Sequence, residues 1–500
     1  MDFLVPLFTG FTDVLTLERL LYCALGVSWG LMVGILPGLG PSAGTALLIP
    51  LTFGLDQTSA IVMLGGIFYA AMYGGTITSV LINVPGEAAS VVTCIDGHEM
   101  ARQGRAGVAL GISAIGSFIG GSFAVLLLCI VGPPLAVFAL RFGPPEFFAL
   151  MAMGLCLITG LMGKSILRSA VSALLGFAIG LVGVDPVSGV ARFTLGQNEF
   201  LSGIDFVAIA MGVFGIGEIL STCENPGQVS RPAKISNLFP KREEWFPSLK
   251  AIARGSIIGA FFGIIPGIIT VVPTFASYVF EKKLSKDPSR FGKGAIEGVA
   301  GPESANNAHS QAAMIPLFTL GIPGTPAIAV MMGALMLHGL TPGPQLFQQQ
   351  PRFIWAVIAS FYIGNLILLI FNLPLARLWA QCVRVPREVM APLVMIFCIL
   401  GAFSINNNLF DVKVLIGAGI LGYLMKKLDF PIAPMVIALI LGPQLERALL
   451  QSLELSGGTY DIFYQRSLSV IMLSVAMFFL VASAIGEIRG KRRSLVKDVD

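Results

Sequence analysis

Residues 34–50 read GILPGLGPSAGTALLIP, and residues 263–275 read GIIPGIITVVPTF. Each phrase closes a longer pattern, GLMVGILPG over 30–38 and GAFFGIIPG over 259–267, both of the form G-x-x-x-G-x-x-P-G. The residues between the glycines are apolar, as in a helix that lies within lipid. Proline removes a backbone donor and glycine accepts unusual dihedrals, so a Pro-Gly pair breaks such a helix. In a bilayer the freed N–H and C=O groups cost several kcal/mol each unless protein or water satisfies them. Two matching breaks therefore point to a polytopic membrane protein in which interrupted helices face an interior and not the lipid.

Composition agrees. The chain has 500 residues, of which 55% are apolar and 12% charged, against about 25% charged in soluble proteins. Its mean hydropathy is +0.83. Apolar runs of about 20 residues, enough to cross a ~30 Å hydrocarbon core, recur along the chain. Gly 58 and Pro 30 suit membrane helices, where small residues allow close packing. The net charge of +4 is small and indicates no nucleic-acid partner. Seven cysteines lie singly, without a CxxC pair, so neither a disulfide framework nor a metal site is expected. The stretch MDFLVPLFTGFTDVLTLERL at 1–20 lacks a basic n-region and is not read as a signal peptide.

Charged residues cluster, and the clusters mark loops. The longest polar stretch, residues 223–255, divides the chain, and a second basic loop spans 281–294. Smaller clusters hold Arg102 and Arg105; Lys164 and Arg168; Arg377, Arg384 and Arg387; and Lys426 and Lys427. The positive-inside rule places all of them in the cytoplasm. The implied organisation is an N-terminal membrane half at 1–222, a cytoplasmic linker at 223–255, a C-terminal membrane half at 256–488 and a basic cytoplasmic tail at 489–500. Apolar segments near 107–131, 146–163, 166–184, 206–222, 353–375, 388–410, 413–428, 431–448 and 466–487 alternate across the membrane, which leaves Arg352 outside. Residues 255–280 lie between two inside loops. Either they enter, break at Pro266-Gly267 and return as a re-entrant hairpin, or they form one long tilted helix that violates the rule.

The two opening phrases are the first of three paired anchors. The second pair is LINVPGEAA at 81–89 and TLGIPGTPA at 319–327; a weaker third is DGHEMARQG at 96–104 and LHGLTPGPQ at 337–345. The same order in both halves indicates a duplication. The first repeat ends inside, at Arg102 and Arg105, and the second ends outside, near Pro342. The expected fold is thus an all-α polytopic integral membrane protein with inverted structural repeats and broken helices or re-entrant hairpins, an architecture of secondary transporters. The N-terminus would then be outside.

The breaks are chemically useful. A half-helix N-terminus suits a carboxylate, and unwound carbonyls suit a cation such as sodium. Candidate ion- or substrate-binding residues are those at and beside the breaks: Pro37, Gly38, Ser42 and Thr45; Thr76, Thr78, Ser79, Asn83, Pro85 and Gly86; Pro266 and Gly267; and Thr319, Pro323, Gly324 and Thr325. The run GPESANNAHSQAAM at 301–314 adds Glu303, Ser304, Asn306, Asn307 and Ser310, the densest polar cluster in an apolar region, with His309 and Gln311 as hydrogen-bonding members. Polar groups inside a membrane are costly and usually functional, although single Ser and Thr residues commonly bond their own helix. Glu87, just after a Pro-Gly pair, either joins the site or caps the next helix.

No catalytic residues are expected, and the chain is not read as an enzyme. GVSWG at Gly26 matches G-x-S-x-G but sits in an apolar helix without a strand-turn-helix context, which makes a hydrolase built on Ser28 remote. GKS at Gly163 lacks the upstream glycine of a phosphate loop. With no ATPase domain, energy must come from an ion gradient or a partner chain. A passive ion channel is the alternative, since channels also use re-entrant loops and backbone carbonyls.

GILPGLGPSAGTALLIPLTF, YGGTITSVLINVPGEAASVVTCIDGHEMARQGRAGVALG and GPESANNAHSQAAMIPLFTLGIPGTPAIAVMMGALMLHGLTPGP strongly resemble the large membrane subunit of the tripartite tricarboxylate transporters, over nearly the whole chain. The resemblance implies a bacterial inner-membrane uptake system with a small four-helix membrane subunit and a periplasmic solute-binding protein. It implies import of citrate-like or other organic carboxylates, coupled to a cation gradient, typically sodium, with no further cofactor. By analogy with other binding-protein-dependent secondary transporters, alternating access would move a substrate-carrying domain as an elevator.

Overall fold

The computed structural model describes residues 3–36, 39–161, 165–185, 189–224, 233, 235, 237–382 and 387–497. Pro37, Gly38, Lys164, Arg384 and part of the linker lie outside the described residues. In chain order the helices are α1 (Leu4–Val14), α2 (Leu17–Ile35), α3 (Gly40–Leu48), α4 (Gln57–Ile82), α5 (Val91–Arg102), α6 (Ala106–Ala139), α7 (Pro144–Leu161) and α8 (Ile166–Gly180). A two-stranded hairpin follows, β1 (Gly183–Val184) antiparallel to β2 (Ala191–Arg192). Then come α9 (Phe206–Ala210), a π-helical turn at Met211–Ile216, α10 (Gly217–Glu224), α11 (Arg242–Gly263), α12 (Val271–Leu284), α13 (Glu297–Ala312), α14 (Met314–Leu320), α15 (Pro326–Leu337), α16 (Pro344–Gln349) and α17 (Pro351–Asn372). The chain ends with α18 (Ala376–Cys382), α19 (Arg387–Asn406), α20 (Leu409–Lys427), α21 (Ile432–Leu455), α22 (Ile462–Gln465) and α23 (Ser467–Lys497). Among the described residues six helices are long and apolar enough to cross a membrane. The protein is an all-α membrane protein. Helix α11 begins at Arg242, inside the stretch read as a linker.

Sequence explains the starts and stops. Asp56 caps α4 by accepting from the Thr58 and Ser59 N–H groups, and Thr16 caps α2 through Arg19, as short polar side chains do at N-termini. Helix α4 ends where Asn83 takes φ +56° and α14 where Gly321 takes φ +71°, the left-handed conformation that closes helices. Each of these stops falls within a Pro-Gly anchor of the repeat.

The Pro-Gly phrases at the head of each half are the tips of hairpins. Arg254 lies nine residues before the end of α11 and Glu281 ten residues into α12, roughly 14 and 15 Å of helix from the tip. Their side chains nonetheless meet in a bidentate pair at 2.7 and 2.5 Å. The two arms are therefore antiparallel neighbours, and the single tilted helix is excluded. Helix α3 likewise folds back on α2: the Trp29 indole donates to the Gly44 carbonyl at 3.3 Å, and Gly44 abuts Val33.

The glycine repeats set how each hairpin docks. Gly26, Gly30 and Gly34 on α2 face the carbonyls of Met63, Ile67 and Ala71 on α4; a Cβ at any of them would sit 2.2–2.4 Å from that oxygen. Gly255, Gly259 and Gly263 on α11 face Gly301, Ala305 and His309 on α13, with 2.2–2.6 Å for the same imagined Cβ. Both registers advance four residues together, so α2 runs parallel to α4 and α11 parallel to α13. This is small-residue packing, in which glycine lets two backbones touch, and it is made twice with one geometry. Where the halves meet, Asn306 opposes Met72 and Glu303 opposes Thr76, so α4 and α13 cross antiparallel. Helix α6 of the first half packs on α13, with Gly120 against the Ser304 carbonyl, and α17 of the second half packs on α4, with Gly364 against Tyr69. The remaining helices flank this centre: α21 packs on α7 and α8, α23 on α7, and α20 on α9 and α10.

Candidate functional site

Four chain breaks interrupt the central helices: between α2 and α3, between α4 and α5, between α11 and α12, and between α14 and α15. All four line one cavity of about 510 Å³, within the ~300–1,000 Å³ usual for small-molecule sites. Three of the breaks contribute the start of their second helix and one the turn before it. Gly40, Pro41 and Ser42 begin α3; Glu87, Ala88 and Ala89 form the turn leading into α5; Thr270 and Val271 begin α12; Thr325 and Pro326 begin α15. Helix N-termini carry unpaired N–H groups and about half a positive charge each. Three of them, from α3, α12 and α15, amount to about one and a half charges at one space, against which the lining carboxylates of Glu87 and Glu218 are set, Glu218 being paired with Lys426. Ser42, Thr270 and Thr325 add hydroxyl groups to the lining.

Backbone contacts hold the breaks together. The Gly267 N–H, at φ +90°, donates to the Gly324 carbonyl at 3.2 Å, which ties the second hairpin tip to the α14–α15 break. His309 reaches the Ile268 carbonyl at 3.0 Å from α13. In the first half Gly86 lies against the Gly34 carbonyl and the Gly75 backbone; a Cβ there would be 2.2 and 2.6 Å away. Only glycine fits at such an approach.

Behind the cavity a buried polar layer joins the halves. The Glu303 carboxylate accepts from Thr76 at 2.7 Å and also from Thr93. Asn306 donates to the Met72 carbonyl and to Glu87, both at 3.1 Å. Asn307 donates to Ser117 at 2.7 Å, and Gln311 to Asn365 at 2.5 Å. The carbonyl oxygens of the Asn306, Asn307 and Gln311 side chains find no hydrogen-bond partner, nor does Nδ1 of His309. Buried acceptors without partners are rare in folded proteins and mark places for a missing ion, water or proton. Glu303 has only hydroxyl donors among the described residues.

The sequence candidates thus separate into three groups. Ser42, Gly86 and Thr325 line the cavity. Thr76, Glu303, Asn306 and Asn307 build the polar layer. The others are close but turned to structural tasks. Thr45 bonds the Pro41 carbonyl, Thr78 and Ser79 both bond Gly75, Ser304 bonds Ile252 and Gly301, Ser310 bonds Asn307, and Thr319 bonds Ile315. Asn83 is exposed and closes α4. Gly267 and Gly324 pair through their backbones, Pro266 stands beside Gly324, and Pro85 and Pro323 belong to the same two breaks. Pro37 and Gly38 lie outside the described residues. Glu87 lines the cavity and makes a capping box with Ser90. Ser28 donates to the Ala24 carbonyl of its own helix at 2.7 Å.

Sequence reasoning missed three features. Glu218 on α10 and Lys426 on α20 line the cavity as an ion pair at 2.6 Å, yet each reads in sequence as an ordinary helix-end charge. Thr93 reaches Glu303 from α5. Asp96 opens the weak third anchor and is fully buried. Its carboxylate accepts from the N–H groups of Gly292, Gly294 and Ala295 at 2.7–2.9 Å and from the Tyr278 hydroxyl at 2.9 Å. It fastens the loop after α12 to the end of the first repeat. The DG dipeptide at 96–97 was the available signal, since Gly97 is what lets α5 approach Val80.

Residues 20–437 match the family described as the tripartite tricarboxylate transporter TctA family. The chain belongs to that family. Two relatives come from Agrobacterium vitis. An uncharacterized 52.8 kDa protein in the TAR-I ttuC' 3' region is 44% identical over 501 residues, covering the whole of both chains. An uncharacterized protein in the TAR-II ttuC' 3' region is 43% identical over 242 residues, all of its own length and 48% of this one. No solved structure matches. The match to a TctA transporter subunit spans both hairpins, all four breaks, Glu303 and Lys426.

Proposed function

We propose that this TctA-family chain is the large permease subunit of a binding-protein-dependent secondary transporter that imports tricarboxylates or related organic carboxylates across the bacterial inner membrane. The observation that carries this reading is the convergence on one cavity of three helix N-termini, those of α3, α12 and α15, with the Gly86–Ala89 turn of the fourth break. That arrangement favours an anion, with about one and a half positive charges from helix ends and the Lys426 ammonium beside them, and it suits a carboxylate better than a cation. The cargo would sit with carboxylate oxygens on the free N–H groups at the starts of α3, α12 and α15 and on the hydroxyls of Ser42, Thr270 and Thr325.

The coupling ion belongs in the layer behind. Sodium or another small cation needs several oxygen ligands, and the Glu303 carboxylate, Thr76, Thr93 and the free oxygen of Asn307 supply that chemistry. Anion and cation sites on opposite sides of the same broken helices would let each ion favour the other's binding. The repeats are read as inverted. The antiparallel crossing of α4 and α13, and the exchange by which α6 packs on α13 and α17 on α4, support that reading. In the membrane both hairpins would then be re-entrant, entering from opposite faces, and alternating access would carry the cavity between the two sides. A small four-helix membrane subunit and a periplasmic solute-binding protein complete the system.

The test is uptake of labelled citrate and other carboxylates into proteoliposomes holding the chain with its partner subunits, with and without an inward sodium gradient. Accumulation that follows the gradient is expected. Uptake indifferent to every cation gradient would remove the coupling, and conductance far above carrier turnover would mark a channel instead.

A further inference from the structure

We propose that Lys426 is a second carboxylate-binding group of the cavity and sets its preference for multiply charged cargo, with Glu218 holding its place when cargo is absent. The inference rests on the carboxylate reading above and adds to it a residue from outside the two repeats.

Helix termini fix one carboxylate at the ring of breaks. A cargo with a second or third carboxylate needs a further positive group at another wall. Lys426 is the only lysine or arginine among the described residues that line the cavity. It comes from α20, more than fifty residues beyond α17, and lines the same cavity as the four breaks. Its ammonium lies 2.6 Å from the Glu218 carboxylate, which also lines the cavity. The other acidic lining residue, Glu87, accepts from the Asn306 amide at 3.1 Å. It is held in the polar layer while Glu218 engages the lysine.

The strength of the Glu218–Lys426 pair suits exchange. The lysine side chain is 44% exposed and the glutamate 20%, so the pair is partly in water, where ion pairs are weak. Arg254 and Glu281, by contrast, form a bidentate bond with the glutamate 2% exposed, a contact that does not open readily. A cargo already bound by one carboxylate presents its next one to Lys426 at high effective concentration. It can therefore displace a carboxylate as loosely paired as Glu218. The neighbouring charges are engaged elsewhere: Lys427 and the Tyr423 hydroxyl both bond Glu224, at 2.7 and 2.8 Å.

The experiment compares wild type, Lys426→Met, Lys426→Arg and Glu218→Gln as the purified full-length chain with its membrane partner. Calorimetry measures the affinity for citrate, succinate and propionate, and the melting temperature monitors folding. Lys426→Met is expected to weaken citrate at least tenfold and to leave propionate within about twofold. Lys426→Arg should recover most of the loss. Glu218→Gln should tighten citrate about threefold or more, because a competitor has been removed. A merely structural pair would behave differently, since breaking it from either side would act in the same direction. Weaker citrate binding in both Lys426→Met and Glu218→Gln, or no change in either, overturns the proposal. If wild type binds none of the three carboxylates, the carboxylate reading itself fails and the assignment of Lys426 falls with it.

Discussion

At the scale of single residues, glycine and one carboxylate carry the structure. Gly34 and Gly86 are each in contact with a backbone carbonyl, at a distance that leaves no room for a methyl group. Gly86→Ala should therefore abolish transport and lower the melting temperature by several degrees, while Gly54→Ala, where nothing lies within 4 Å, should do neither. Glu303 holds two hydroxyl donors from the opposite half. Glu303→Leu should insert and fold but lose sodium-dependent uptake, and Thr76→Val should raise the sodium concentration needed for half-maximal uptake several-fold. Uptake by Glu303→Leu with an unaltered sodium response would take the coupling ion away from this layer. The glycines were legible in sequence, because G-x-x-x-G-x-x-P-G occurs twice. The partners of Glu303 were not. Thr93 carries no motif, and its contact spans 210 residues of chain.

At the scale of elements, the hairpins decide the architecture. Their tips were visible from Pro-Gly, yet the sequence left residues 255–280 open between a hairpin and a tilted helix. The Arg254–Glu281 pair resolves the choice, and neither residue advertises the other. Removing Arg254 leaves Glu281 buried without its cation. Arg254→Ala should destabilise by up to about 3 kcal/mol, the low end for breaking a buried pair, because the arginine itself is one-third exposed. The exchanged pair Arg254→Glu with Glu281→Arg should recover part of that loss. Full stability in Arg254→Ala, measured by thermal unfolding in detergent, would argue against two arms held side by side. The long unbroken helices were read more easily, since α6, α8, α17, α20, α21 and α23 fall close to the apolar segments found by hydropathy. Long apolar runs leave little choice of structure in lipid. Of the helices that meet at the breaks, α2 and α4 are long and apolar enough to be detected, whereas α3, α5, α12, α14 and α15 are too short.

At the scale of the whole molecule, two similar halves meet across α4 and α13 and bring four breaks to one place. The family was legible in the sequence. The cavity was only partly so, because it is assembled from four points in the chain and closed by Lys426 and Glu218 from outside the repeats. If the halves are inverted, thiol-reactive reagents applied from the two sides should reach Lys283→Cys from the cytoplasm and Arg352→Cys from the periplasm. Labelling of both from one side would contradict the inversion. The cavity itself is tested most directly by cargo protection. Ser42→Cys begins α3 in one half, and Thr325→Cys begins α15 in the other. Each can be placed in a chain whose exposed Cys223 has been replaced by serine. With the partner subunits present, citrate or whichever carboxylate is taken up should slow labelling of both cysteines, with the same half-saturating concentration. Protection of only one, or of neither, would mean that the four breaks do not share a single anion site.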